Sequence, residues 1–124
     1  MGMPFRTKRV YDPPSPEDGL RVLVDRIWPR GLSKEKARVD WWAKELPPSN
    51  ALRRWFAHDP GKYLEFLRRY REELKGNPAL ARLQALGKEG TVTLLFGAKE
   101  TRYNNAQALL AILKEESLTG GGEA

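Results

Sequence analysis

The apolar positions of this chain follow two periods, one near two residues and one near 3.6. Phe5-Arg6-Thr7-Lys8-Arg9-Val10-Tyr11 mixes aromatic and β-branched residues with polar ones and predicts a first strand over 5–11. The turn-rich Asp12-Pro13-Pro14-Ser15-Pro16 closes it. Leu20 to Val24 predicts a second strand, and its Val22-Leu23-Val24 run reads as buried on both faces. Asp25-Arg26-Ile27-Trp28-Pro29-Arg30-Gly31 predicts a loop, because Pro29 and Gly31 break either regular structure. Ser33 caps a short helical turn through Ala37. Val39 to Leu46 reads as a third strand, although Asp40-Trp41-Trp42-Ala43-Lys44 also tolerates a helix.

The middle of the chain has the longer period. Ser49 or Asn50 caps a helix with Leu52, Trp55 and Phe56 on one face. Asp59-Pro60 pairs an N-cap with proline at the first helical position. From there Tyr63, Phe66, Leu67, Tyr70 and Leu74 form one buried stripe, and Gly76 ends it. Asn77-Pro78 repeats the device for a helix with Leu80, Leu83 and Leu86 inward and Gly87 as terminator. Thr91 to Phe96 predicts the last strand, and a final helix carries Ala106, Leu109, Leu110 and Leu113.

Strands near both ends, with helices between and after them, imply an α/β domain: a small, mostly parallel sheet with helices packed on its faces. At 124 residues there is material for one core. A single domain over 1–116 and a flexible tail over 117–124, rich in glycine and without an apolar anchor after Leu118, are expected. No apolar run reaches the roughly 20 residues of a membrane span, and the first residues lack the pattern of a secretory signal. A cytoplasmic location away from any membrane is therefore expected.

Composition narrows the chemistry. There are no cysteines and one histidine, His58, which excludes disulfide scaffolds, thiolate or multi-histidine zinc sites and cysteine nucleophiles. The sequence carries no glycine-rich phosphate loop, dinucleotide fingerprint, serine nucleophile elbow or zincin helix, so no cofactor or metal is expected. Lys plus Arg number 22 against 16 acids, a surplus that favours an anionic small molecule or nucleic acid as partner.

In open α/β sheets ligands sit outside the carboxyl ends of the strands. Two loops that leave strand ends are rich in donors: one carries Arg26, Trp28 and Arg30, the other Lys99, Asn104 and Asn105. The second opens onto a helix N-terminus, which already favours an anion. If the two strands are adjacent, the loops converge on a basic pocket floored by Trp28. The alternative is that Trp28 packs as core, Asp25 pairs with Arg26 or Arg30, and Lys99 is merely solvated. His58 and Asp25 are candidate acid–base groups should the ligand be turned over, although Asp59 beside His58 is better used as a cap. A third reading uses Arg53, Arg54, Arg68, Arg69 and Arg71 as a duplex-binding face. The competing explanation is a solvated helix face paired with Glu65, Glu72 and Glu73.

Val24-Asp25-Arg26-Ile27-Trp28-Pro29-Arg30-Gly31, Ala51-Leu52-Arg53-Arg54-Trp55-Phe56-Ala57-His58-Asp59-Pro60, Phe66 to Leu74 and Thr93-Leu94-Leu95-Phe96-Gly97-Ala98-Lys99 resemble the YeaO-like group of the domain-of-unknown-function family numbered 488. The resemblance spans roughly residues 5–115 and implies no assigned activity. Other branches of that family resemble a version with a Cys-His-Arg triplet after the last strand, whereas this chain has no cysteine. Within the YeaO-like group an Asn-His-Ala sequence is usual, and here Asn104-Asn105-Ala106 stands in its place. Asparagine hydrogen-bonds but carries no proton at neutral pH, so proton transfer at that position is closed to this chain.

Overall fold

The computed structural model describes the backbone of residues 4–123 and the side chains of residues 4–115. The segment 117–124, expected as a flexible tail, lies outside the side chains so described. Four parallel strands, β1 (Phe5–Arg9), β2 (Leu20–Leu23), β3 (Trp41–Trp42) and β4 (Val92–Phe96), stand in the order β1-β4-β2-β3. The last strand in sequence is therefore internal. It pairs β1 from Phe5↔Val92 to Arg9↔Phe96 and β2 from Leu20↔Val92 to Leu23↔Leu95. A strand covered on both faces reads as a continuous apolar run, and every residue of β4 is buried.

The alternation along the strands divides two cores. Val22, Val92, Leu94 and Phe96 face a large cluster built with α2 (Asn50–Phe56), α3 (Tyr63–Leu74), α4 (Pro78–Gly87) and α5 (Asn105–Glu123). Leu23 and Leu95 face the opposite side, where α1 (Lys34–Ala37) and its flanking loops supply Ala37, Trp28, Leu32 and Val39, and β3 supplies Trp42. That thinner face also holds a buried ionic group: Arg21 pairs with Asp18, and both are 4% exposed.

The helices begin where local capping starts them. Ser33, Ser49 and Asn77 side chains accept from backbone N–H groups in the first turns of α1, α2 and α4. Asp59 caps a 3-10 turn at Pro60–Lys62, and α3 follows from Tyr63. On the predicted stripe of α3, Phe66, Tyr70 and Leu74 are buried, with Tyr63 and Leu67 half-buried.

The third strand is much shorter than the 39–46 expected. Ala43 N still donates to Leu23 O at 2.9 Å, but Lys44 N and Leu46 N turn back to Trp42 O and Ala43 O. This turn delivers Pro47 and Pro48 to the carboxyl end of the sheet. Tyr70 Oη donates to Leu46 O at 2.6 Å, and the Glu73 carboxylate accepts from Ser49 N and Ser49 Oγ, which fixes the turn against α3.

Candidate functional site

β2 and β4 are neighbours, so the loops that follow them leave the sheet side by side. β2 continues toward β3 at one edge, whereas β4 feeds α5, which packs on β1 and β4. The chain thus diverges at the carboxyl ends of β2 and β4, the position where open α/β sheets form a crevice. A cavity of about 210 Å³ lies there.

Asp25, just past β2, is the polar centre of this cavity. Its Oδ2 accepts from Gly97 N at 2.7 Å, linking the two strand ends. A side chain at Gly97 would bring its first carbon to 3.3 Å from the same oxygen, tighter than usual packing. Burial pushes the Asp25 carboxyl above the ordinary carboxylate range. The Gly97 N–H, the Asn105 side chain and the charges of Arg53 and His58 pull it back only in part. Asn105, in the first turn of α5, donates from Nδ2 to Val24 O at 2.8 Å and so stands beside Asp25.

The opposite wall comes from α2 and the residues after it. Ser49 starts the helix, and Leu52 and Phe56 face the core; this phase leaves Asn50 and Arg53 along the cavity. Ala57 and His58 then adopt left-handed backbone, with φ of 46° and 56°, an uncommon state for residues with a β-carbon. The sharp exit turns the His58 ring edge-on to Phe56 and places Nδ1 2.8 Å from Tyr103 O. A carbonyl only accepts, so Nδ1 carries a proton in this contact.

Asp25, Arg26, His58 and Asn105 therefore share one cavity. The other predicted residues do not line it. Trp28 lies in the cluster on the far face, edge-on to Trp42 at 5.3 Å, with its Nε1 donating to Leu32 O. Arg30 is exposed in a loop whose backbone accepts from Tyr11 Oη, and Lys99 is also exposed. Asn104 is fully buried: its Oδ1 accepts from Gln107 N and its Nδ2 donates to Glu100 O, so it caps α5. Arg53, Asn50 and the Pro47–Pro48 turn were not anticipated in the cavity. The inward phase of Leu52 and Phe56 is the signal that could have placed Arg53 there.

Arg26 donates from Nη2 to Pro48 O at 2.9 Å, bracing the turn. The described ion pairs leave Arg26 and Arg53 without a carboxylate partner. The arginines of α3 differ. Arg68 and Arg69 both bind Glu65, whose carboxyl their hydrogen bonds hold at about 2, and Arg71 binds Glu115. Arg69 also lies over the Trp55 ring at 4.3 Å. Among the described residues no helix is long and apolar enough to cross a membrane.

Comparison with known proteins gives the following. The family profile described as "Inactive DUF488-N3 subclade" matches residues 4–122. The uncharacterized protein Rv3073c of Mycobacterium tuberculosis (strain ATCC 25618 / H37Rv) is 43% identical over 108 residues, which cover 87% of this chain and 92% of that protein. The uncharacterized protein YeaO of Escherichia coli (strain K12) is 42% identical over 108 residues, covering 86% of this chain and 94% of that one. No solved structure matches.

Proposed function

Because the chain belongs to the YeaO-like group of the DUF488 family, whose matched members have names that assign no activity, we propose a function from the cavity itself: it binds the anionic group of a phosphorylated small molecule or nucleotide, without turning it over. One observation carries this reading. Arg53 and Arg26 border a cavity at the carboxyl ends of parallel strands, and neither has a carboxylate partner among the described residues. Guanidinium groups bind phosphate oxygens with paired hydrogen bonds, which makes an anion the natural complement.

The matched subclade is described as inactive, which supports binding over catalysis. Asp25 and His58 on one cavity keep an acid–base enzyme as the second reading. The paired state of the α3 arginines supports a pocket over a duplex-binding face.

Thermal melting in inorganic phosphate against chloride at matched ionic strength tests the reading. A ligand at ten times its Kd stabilises the native state by about 1.4 kcal/mol, or roughly 5 °C for a domain of this size. Arg53→Ala is expected to abolish the phosphate-specific increment while the protein stays folded. An unchanged increment in that variant sinks the proposal.

A further inference from the structure

We infer that the cavity takes the base of a nucleotide, with an N–H or amino group on the base edge donating to Asp25 and the phosphate held at the rim by Arg53 and Arg26. This rests on the anion-binding reading and adds the ligand's other end.

The distribution of donors and acceptors carries the inference. The Asp25 carboxylate receives Gly97 N–H at one oxygen and has the Asn105 amide beside it as a second donor, and it retains lone pairs for a further one. The Asn105 Nδ2 group donates to Val24 O and lies in hydrogen-bond contact with Asp25, which leaves its carbonyl oxygen. The His58 ring is held by its Nδ1 contact with Tyr103 O, at the same wall. The Asp25 carboxylate and the Asn105 carbonyl at the strand ends thus offer acceptors, whereas the exposed Arg26 and Arg53 offer donors. Inorganic phosphate satisfies only the second set. A ligand matching both carries N–H groups at one end and an anion at the other.

The remaining lining selects the kind of ring. Ile27, Pro47, Pro48, Phe56, Phe66 and Ala98 make half the wall apolar. Ile27 is 75% exposed, so the core does not account for it. Such walls suit a planar ring with apolar faces and disfavour a polyhydroxylated sugar. At about 210 Å³ the cavity is smaller than the roughly 300–1,000 Å³ of a pocket for a drug-sized ligand. It therefore houses a ring and leaves the phosphate at its mouth.

Calorimetric titration of the full chain with AMP, GMP, CMP, UMP, purine riboside 5′-monophosphate and ribose 5-phosphate decides it. Purine riboside 5′-monophosphate keeps the ring and phosphate but has no N–H donor on the base. The tightest of the four nucleotides is expected to bind about tenfold or more tighter than either control, the range of a hydrogen bond to a charged acceptor. Asp25→Asn is expected to erase the preference over purine riboside 5′-monophosphate, because it presents an amide where the donor needs a carboxylate. Ribose 5-phosphate binding as tightly as every nucleotide overturns the base assignment and leaves the anion reading standing. Equal affinity for purine riboside 5′-monophosphate and the best nucleotide, or a full preference retained in Asp25→Asn, removes Asp25 from the role. Absence of binding by all six ligands overturns the inference and the anion reading together. If Asp25→Asn does not fold, the ligand series on the natural chain still decides.

Discussion

Replacing Arg21 with methionine tests how the sheet is held at the end opposite the cavity. The Arg21 guanidinium pairs with Asp18 and donates to Ala37 O at 2.7 Å and Arg38 O at 3.1 Å. Breaking a buried pair by removing one partner costs about 3–5 kcal/mol, because the other charge is left in a poor dielectric. Asp18 keeps Lys8 Nζ at 3.1 Å and Ser15 N at 3.0 Å, and methionine retains apolar packing, so the lower end, about 3 kcal/mol, is expected. Lys8→Met removes the more solvated partner, 21% exposed at its side chain, and about 1 kcal/mol is expected. The pH dependence has a definite sign. Burial pushes the Asp18 carboxyl up, but the Ser15 N–H, Lys8 and Arg21 outweigh it and hold the group below its ordinary 3.8. A depressed carboxyl contributes stability that is present above the ordinary value and lost as pH falls through the folded one. The Arg21→Met penalty is therefore full at pH 7 and shrinks below about pH 3.8. Urea unfolding followed by circular dichroism at pH 7, and down to the lowest pH at which both proteins fold, measures this. A cost below that of Lys8→Met, or one that does not change with pH, refutes the reasoning.

Asp25→Asn is expected to stabilise the protein at pH 7 and to change little below pH 3.8, because a buried carboxyl with a raised pKa loses stability as pH rises from its ordinary value through its folded one; melting curves from pH 3 to 8 check it, and a less stable variant at pH 7 contradicts it. Gly87→Ala would put a carbon 2.4 Å from Phe5 Cζ, so crowding is expected to outweigh the gain in helix propensity and to cost about 1 kcal/mol. In a Phe5→Ala background the same change is expected to become stabilising, which denaturant midpoints for the four proteins would show.

Elements with a local cause were legible in the sequence. Ser33, Ser49 and Asn77 start helices through side chains that bond their own first turns, so no distant residue is needed to read them. The buried run of β4 was equally plain, since a strand with covers on both faces has no polar side to show. Arg21 was not legible. Its burial depends on Asp18 and on the carbonyls of Ala37 and Arg38 converging from two other segments, and a strand pattern carries no trace of that. The third strand was over-read for a related reason. Trp41 and Trp42 have strand-forming side chains, but β3 lies at the sheet edge, and the backbone after it turns toward Pro47 instead of extending a ladder.

The candidate site divides along the same line. That two loops would meet at the strand carboxyl ends depended on the adjacency of their strands, which the pairing of β2 with β4 supplies. Which side chains enter the cavity depended on finer packing. Asp25 meets Gly97, whereas Trp28, farther along the same loop, folds under the sheet against Trp42. Asn104 and Asn105 are adjacent in sequence and divided by the helix start: one is consumed as the cap of α5, the other turns to Val24 and Asp25. Arg53 arrives from a helix whose placement depends on Tyr70 and Glu73 holding the Pro47–Pro48 turn and the start of α2. Position in the strand-end loops therefore identified Arg26 as a cavity residue but not Arg53. Arg30 and Lys99 lie in the same loops but do not line the cavity. Arg53 borders the cavity beside Asp25 because the inward phase of Leu52 and Phe56 carries it there, a placement that depends on the packing of α2 and not on the loops themselves.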